Sequence, residues 1–280
     1  MEIVFDNVTY KDNIRTPLEK TCIKDFSYKF SEGKVYSIIG DTSSGKEYIG
    51  LLINAVNKPT FGVIKIGNFI NDGKYIKNIN KLRMNVGYIK VNPNEYFFNN
   101  KVRDELNFGI KYFKYKLDKQ SIRVNEAITL VGLNLDILDR HINELNLNEL
   151  KKVMIASSLI FNPSVIVIEE PTLYLTYKDK EKLVKLINLL KTKYNKTIIL
   201  ITKDTNISYE VSDEVILLKD GSIVKSGDKS ILSDEVLLNK VNVSVPDIVK
   251  FINISNKMNA NLSYTSNILD LIKEVYRNAK

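Results

Sequence analysis

Seven residues, Gly40-Asp41-Thr42-Ser43-Ser44-Gly45-Lys46, constrain this chain more than any other stretch. Their spacing is GxxxxGK, and a short apolar run precedes them while an amphipathic one follows. Val35-Tyr36-Ser37-Ile38-Ile39 reads as a buried strand. From Lys46 onward, Ile49, Leu51, Leu52, Ile53 and Val56 give a helix one apolar side, and Pro59 with Gly62 marks its exit. A glycine-rich turn leading from a buried strand into a helix aims successive backbone N–H groups and the positive helix end at one point, which cradles phosphate. Lys46 is placed to reach the outer phosphate oxygens. The next position usually carries a Ser or Thr hydroxyl for Mg²⁺, and here it is Glu47.

The rest of the chain fits a layered α/β protein. Phe26, Tyr28 and Phe30 alternate at period two, and another strand is expected over 63–66. Strand signals fade from about 100 to 150, where Ile122, Ala127, Ile128 and Val131 fall near helical spacing and Gly132 supplies a stop. A helix is expected over 149–161, then a buried strand over 165–168 that ends in Glu169-Glu170-Pro171-Thr172. A further helix over 178–194, a strand over 197–201 and a hairpin turning at Asp220-Gly221 complete the pattern. Alternation of strand and helix implies a parallel sheet with crossover helices, and acids at the carboxyl end of such a strand sit where open sheets bind ligands. After Gly227 the chain becomes helical again, with Pro246 opening one helix and Thr265 or Ser266 capping another whose apolar positions are Ile268, Leu269, Leu271, Ile272 and Val275.

Composition excludes several classes. A 280-residue chain with 44% hydrophobic and 26% charged residues can bury a large core, so a disordered or disulfide-scaffold chain is ruled out. One cysteine, Cys22, and one histidine, His141, give neither a disulfide nor a zinc pattern; both read as ordinary side chains, small and half-buried for Cys22, on the surface for His141. The balance of 41 basic to 33 acidic residues gives a net charge of +8, but the lysines are spread along the chain with no aromatic-and-arginine cluster, so no nucleic-acid partner is expected. No apolar run reaches the roughly 18 residues of a membrane span and the start lacks a signal pattern, so the protein is expected in the cytoplasm.

The order of Gly40 to Lys46, Val86-Gly87-Tyr88-Ile89, Glu144-Leu145 before a basic helix, the strand ending at Thr172, and Thr202-Lys203-Asp204 resembles the ATPase subunits of ABC transporters. Within that superfamily the chain is most similar to ATPases of energy-coupling factor transporters, which serve vitamin and metal-ion uptake. Asn92 to Phe98, Asp104 to Gly109 and the tail Val245 to Phe251 carry this likeness. The resemblance implies an α/β P-loop NTPase fold with an antiparallel β-subdomain, a helical insert at about 100–150, an ATPase domain over 1–227 and a C-terminal helical appendix over 228–280. It also implies ATP and Mg²⁺ as cofactors. The expected partners are a second ABC ATPase, as a heterodimer, and a transmembrane coupling subunit on the inner face of the cell membrane.

Carried over residue by residue, the nucleotide-binding stretch is Gly40, Asp41, Thr42, Ser43, Ser44, Gly45, Lys46, Glu47 and Tyr48. Glu47 and Glu169 supply carboxylates for Mg²⁺, Glu170 orients the attacking water, and Lys203 stands at the switch-histidine position. The family's adenine-stacking aromatic falls at Asp12, with Tyr10 nearest, and its metal-linking glutamine falls at Val91. The LSGGQ signature reads Leu145, Asn146, Leu147, Asn148, Glu149; both glycines are gone, side chains crowd a close backbone approach, and Glu149 adds a charge unfavourable to phosphate. These replacements imply severely impaired hydrolysis. A pseudo-ATPase scaffold without turnover is the alternative; a soluble regulatory or nucleic-acid-associated cassette is a third reading, one that usually carries two cassettes per chain. Tyr96, Phe97 and Phe98 are either core or part of the groove that receives the membrane subunit.

Overall fold

The computed structural model describes residues 1–113 and 120–278. In chain order the strands and helices are β1 (Ile3–Asp12), β2 (Lys20–Phe30), β3 (Val35–Ile39), α1 (Lys46–Ile53), β4 (Phe61–Ile66), β5 (Phe69–Asn71), α2 (Ile79–Asn85) and β6 (Val86–Ile89). There follow α3 (Val102–Tyr112), α4 (Gln120–Leu130), α5 (Leu147–Leu159), β7 (Val165–Glu169), α6 (Tyr177–Thr192), β8 (Thr197–Thr202) and α7 (Thr205–Val211). The last elements are β9 (Glu214–Lys219), β10 (Ser222–Asp228), α8 (Glu235–Lys240), α9 (Asp247–Lys257) and α10 (Ile268–Asn278).

Two sheets enclose α1. A four-stranded antiparallel sheet has the order β2-β1-β4-β5, and a six-stranded sheet has the order β10-β9-β3-β8-β7-β6, parallel except for the β9–β10 hairpin. Strands β3, β7 and β8 are buried at every residue, as parallel strands covered on both faces must be. Their side chains alternate: Val165, Val167, Ile199 and Ile201 join Ile49, Leu52 and Ile53 of α1 on one face. Ile166, Ile168, Ile198 and Leu200 pack with α5 and α6 on the other. Phe5, Phe26 and Phe30 of the antiparallel sheet meet edge to face, with Phe5 centroids 5.1 Å and 6.0 Å from the other two, and close the α1 side of the core.

Two glycines allow this packing. Gly45, with φ +83°, ends the loop before α1, and a Cβ there would lie 2.2 Å from the Cys22 carbonyl oxygen. Gly50 brings α1 against the sheet, where a Cβ would lie 2.8 Å from the Tyr88 ring and 2.9 Å from Ile201.

Of the helical stretch expected at 100–150, residues 114–119 lie outside the described residues. The helix expected over 149–161 instead begins at Leu147 and ends at Leu159, because Asn146 caps it. The last helix starts behind Asn267, whose side-chain oxygen accepts from the Leu269 N–H, rather than behind Thr265 or Ser266. Of its expected apolar face only Leu271 is buried; Ile268, Leu269 and Ile272 are exposed. Leu232, Leu238, Val241, Val243 and Val249 pack with Ile39, Val215 and Leu217, so the segment after β10 shares a cluster with the strand that feeds the glycine-rich loop. Among the described residues, no helix is long and apolar enough to cross a membrane.

Candidate functional site

The parallel register brings four strand ends together. Ile39 pairs with Thr202, Ile201 with Glu169, and Ile89 with Ile168. The loop 40–46, the acids after β7 and Lys203 after β8 therefore share the carboxyl edge of one sheet.

The loop is held from within and from both sides. The Asp41 carbonyl accepts the Lys46 Nζ at 2.8 Å and the Ser44 Oγ at 2.8 Å. The Asp41 carboxylate accepts the Ser43 N–H at 3.0 Å and Oγ at 2.9 Å, and the Asn242 Nδ2 at 2.9 Å. The Gly221 N–H of the β9–β10 turn donates to the Ser44 carbonyl at 2.9 Å, while the Gly221 carbonyl accepts the Lys24 N–H of β2 at 2.9 Å. Lys46 is buried, Thr42 and Ser43 are exposed, and Glu47 is half-buried.

The two acids after β7 have different partners. Glu169 is buried; the Tyr88 hydroxyl donates to its Oε1, and the Val91 N–H donates to Oε2 at 3.0 Å. Burial pushes the Glu169 carboxyl up, the Tyr88 and Val91 bonds and the Lys151 charge oppose this, and the nearby Glu47 charge reinforces it. Burial also raises the Tyr88 phenol, with the Glu169 charge and hydrogen bond adding to it. Glu170 sits in the left-handed region at φ +38°, and its carboxylate accepts the Thr202 Oγ1 at 2.7 Å and the Lys203 N–H at 3.2 Å. The Lys203 side chain is exposed. Below the acids, fully buried Lys151 donates from Nζ to the Glu169 carbonyl at 2.9 Å and the Lys90 carbonyl at 3.4 Å.

At the adenine-stacking position, Asp12 accepts the Tyr48 hydroxyl at 3.2 Å, and Tyr48 packs on Tyr10 with ring centroids 5.1 Å apart. Burial raises the Tyr48 phenol.

The stretch 146–149 opens α5. The Asn146 side chain accepts the Glu149 N–H at 3.0 Å and the Glu149 carboxylate accepts the Asn146 N–H at 3.0 Å, which is a capping box. Glu149 also pairs with Arg140 at 2.9 Å. The charge expected to oppose phosphate is thus matched by a guanidinium and turned back onto its own helix. Asn148 donates to Asp179 at 3.0 Å, joining Thr176 and Lys152, whose ammonium lies 2.7 Å away. Burial opposes ionisation of Asp179, but these donors, Lys152 foremost, hold its carboxyl well below the usual range. Leu147 is exposed. Among the described residues, the hydrogen bonds of 146–149 outside α5 run to Arg140 and Asp179, not to the loop 40–46. Because the cap joins two orphan donors reciprocally, Asn146→Ala should cost about 1 kcal/mol of unfolding free energy in a urea titration.

Three contributors carry no local signal for the bonds they make. Tyr88 stands in the sequence only as part of a strand, and its reach to Glu169 depends on β6 lying beside β7. Thr202 belongs to the Thr202-Lys203-Asp204 stretch, but nothing in that stretch points to Glu170, and Lys151 shows no sequence signal beyond its neighbours. The Asn146-x-x-Glu149 capping pattern was visible. Tyr96 and Phe97 pack against the core, whereas Phe98 is exposed and neighbours Phe108 at 5.8 Å, with Phe108 stacked on Tyr112 at 6.0 Å. Those three rings, Tyr96 and Phe161 help line a groove of about 410 Å³.

A family profile described as ABC transporter matches residues 23–173. The energy-coupling factor transporter ATP-binding protein EcfA2 of Staphylococcus aureus (strain MRSA252) is 34% identical over 252 residues, covering 89% of this chain and 88% of that protein. The corresponding protein of strain bovine RF122 / ET3-1 matches to the same extent. Among solved structures, the dimeric ATP-binding cassette MJ0796 in a post-hydrolysis state bound to ADP and Pi has a TM-score of 0.75 at 23% identity, covering 81% of this chain and 98% of that one, a likeness of fold. The structure of cbiO1 from Clostridium perfringens, described as part of the ABC transporter complex cbiONQ, has a TM-score of 0.71 at 25% identity over 90% of this chain and 98% of its own.

Proposed function

Since the chain belongs to the ABC transporter family, we propose that it is the ATP-binding cassette subunit of an energy-coupling factor type importer, with slow ATP turnover. The observation that carries this reading is the glycine-rich loop between β3 and α1, with buried Lys46 folded over it and Glu169 and Glu170 beside it on the same sheet edge. In this reading the stretch 40–48, with the Lys46 ammonium, binds the phosphates, and Glu170, fixed by Thr202 and the Lys203 N–H, orients water.

Glu47 and Glu169 fit Mg²⁺ by donor chemistry: both are hard carboxylates, close enough for the charge of one to bear on the other. No cluster of three acids, His or Cys is present among the described residues, which suits an ion that completes its shell with phosphate oxygens and water. When bound, Mg²⁺ would neutralise phosphate charge, including repulsion from Glu47.

Slow turnover follows from 146–149. Asn148 is committed to Asp179 and the helix start to its own capping box, and Leu147 and Asn148 carry side chains where the family's signature has glycines. We divide the chain into an ATPase domain, 1–227, and a C-terminal appendix, 228–280. We assign it a peripheral place on the inner membrane face, pairing with a second ATPase, with the groove at Phe98 and Phe108 receiving the coupling subunit. Support for the partners comes from the relatives' transporter names.

The test is steady-state ATPase of the membrane complex that co-purifies with this chain, with and without Glu170→Gln. Turnover should be low and should fall less than about tenfold, because lost transition-state donors already limit the rate. A fall of more than about 100-fold from a rate typical of ATPases would overturn slow turnover while leaving the cassette assignment standing.

A further inference from the structure

Asp41 places a negative charge inside the loop that the preceding reading assigns to phosphate. Its orientation is therefore a binding variable. Two of its bonds are local, from the Ser43 N–H and Oγ, and travel with the loop. The third comes from Asn242, 201 positions away.

We propose that Asn242 is a positioning residue for nucleotide binding, holding the Asp41 carboxylate aside so that it does not face the phosphates. The inference rests on the nucleotide-binding reading of the loop. Its first support is how firmly Asn242 is mounted. It follows α8 with φ +57°, its N–H donates to the Asn239 carbonyl at 3.2 Å, and its neighbours Val241 and Val243 are buried with Ile39, the residue that leads into Gly40. The amide is thus carried on the same packed cluster as the strand end below the loop.

The second support is what Asp41 does with its backbone. Its carbonyl holds both the Lys46 ammonium and the Ser44 hydroxyl, so a turn of Asp41 disturbs the lysine as well as the carboxylate. The third is that an amide donor orients a carboxylate without neutralising it. The Asn242 bond, with those from Ser43, holds the Asp41 carboxyl below its ordinary range, so the side chain stays charged and its direction matters.

Asparagine is also a residue that tolerates a left-handed backbone, so Asn242 has a purely local role available to it. Glycine adopts the same backbone without the Nδ2 donor, which makes Asn242→Gly the discriminating variant. The probe is Mg²⁺-ATP titrated into the full chain by calorimetry, at low and high salt. Asn242→Gly should weaken binding about five- to tenfold, the factor a typical net hydrogen bond is worth, and less so at 1 M salt. In an Asp41→Ala background the same change should have no further effect, giving a coupling that a general loosening of α8 would not produce. Binding by Asn242→Gly within twofold of the parent, or an equal loss with and without Asp41, overturns the inference alone. No binding of ATP by the parent chain overturns the nucleotide reading and this inference with it.

Discussion

Lys46→Ala should lower the affinity of the full chain for ATP by about 100-fold or more in a calorimetric titration with Mg²⁺ present, with little change in melting temperature. A 100-fold loss is about 2.7 kcal/mol. Two unit charges 4 Å apart at an effective dielectric of 20 interact by about 4 kcal/mol, and Lys46 is buried beside the loop rather than screened in bulk water. The free protein loses little by the change, because the Asp41 carbonyl keeps the Ser44 hydroxyl at 2.8 Å when the ammonium is removed. The loss should be larger for ATP than for ADP, since the lysine serves the outer phosphates. Affinity within about tenfold of the parent would mean that the loop is not the phosphate site. The chain would then be better described as a scaffold that keeps the cassette fold.

Stability should rise with pH between about 8 and 9.5, and substituting Lys151 should remove much of that rise. Burial lowers the Lys151 ammonium to about 8, against an ordinary value of 10.5, with the Glu169 and Glu170 charges opposing the drop. Below pH 8 folded and unfolded chains both carry the proton, and the full cost of the buried charge is felt. Between 8 and 10.5 the folded chain gives up the proton first while the unfolded chain retains it, so unfolding binds a proton and becomes less favourable as pH rises. At about 1.36 kcal/mol per unit the gain reaches about 2 kcal/mol by pH 9.5. Burial lowers Lys196 as well, so the comparison that isolates the effect is urea unfolding of the parent against Lys151→Met and Lys151→Gln, the second keeping a donor for the Glu169 carbonyl. Readings stop short of pH 10, where unfolded tyrosines ionise ahead of the raised Tyr28, Tyr48 and Tyr88 phenols and reverse the slope. Equal pH slopes in all three proteins would mean that Lys151 keeps its proton in the fold through pH 9.5, as a solvated ammonium does.

How much was legible in advance depended on sequence distance. The loop 40–46, the buried strands on either side of α6 and the hairpin at Asp220-Gly221 were readable because period, glycine placement and apolar runs are local signals. The neighbours of Glu169 were not. Tyr88 meets it only because β6 is the edge strand beside β7, and Lys151 meets its carbonyl only because α5 crosses beneath. Asn242 and Asp41 are the extreme case, joined across most of the chain by a cluster whose members look like any other apolar residues. The signature stretch failed differently. Its Asn-x-x-Glu pattern is a local helix-start signal, but the same residues overlie a motif position, and the partners that turn Glu149 away from the loop lie elsewhere in the chain.

The Gly221 backbone, with its N–H bonded to Ser44 and its carbonyl to Lys24, has a mechanical meaning. It is a rivet through three pieces of the molecule: the β9–β10 hairpin, the glycine-rich loop and the first strands of the antiparallel layer. The loop, the hairpin and the outer sheet therefore share the backbone of one residue, and any displacement of one against the others has to be taken up at that glycine.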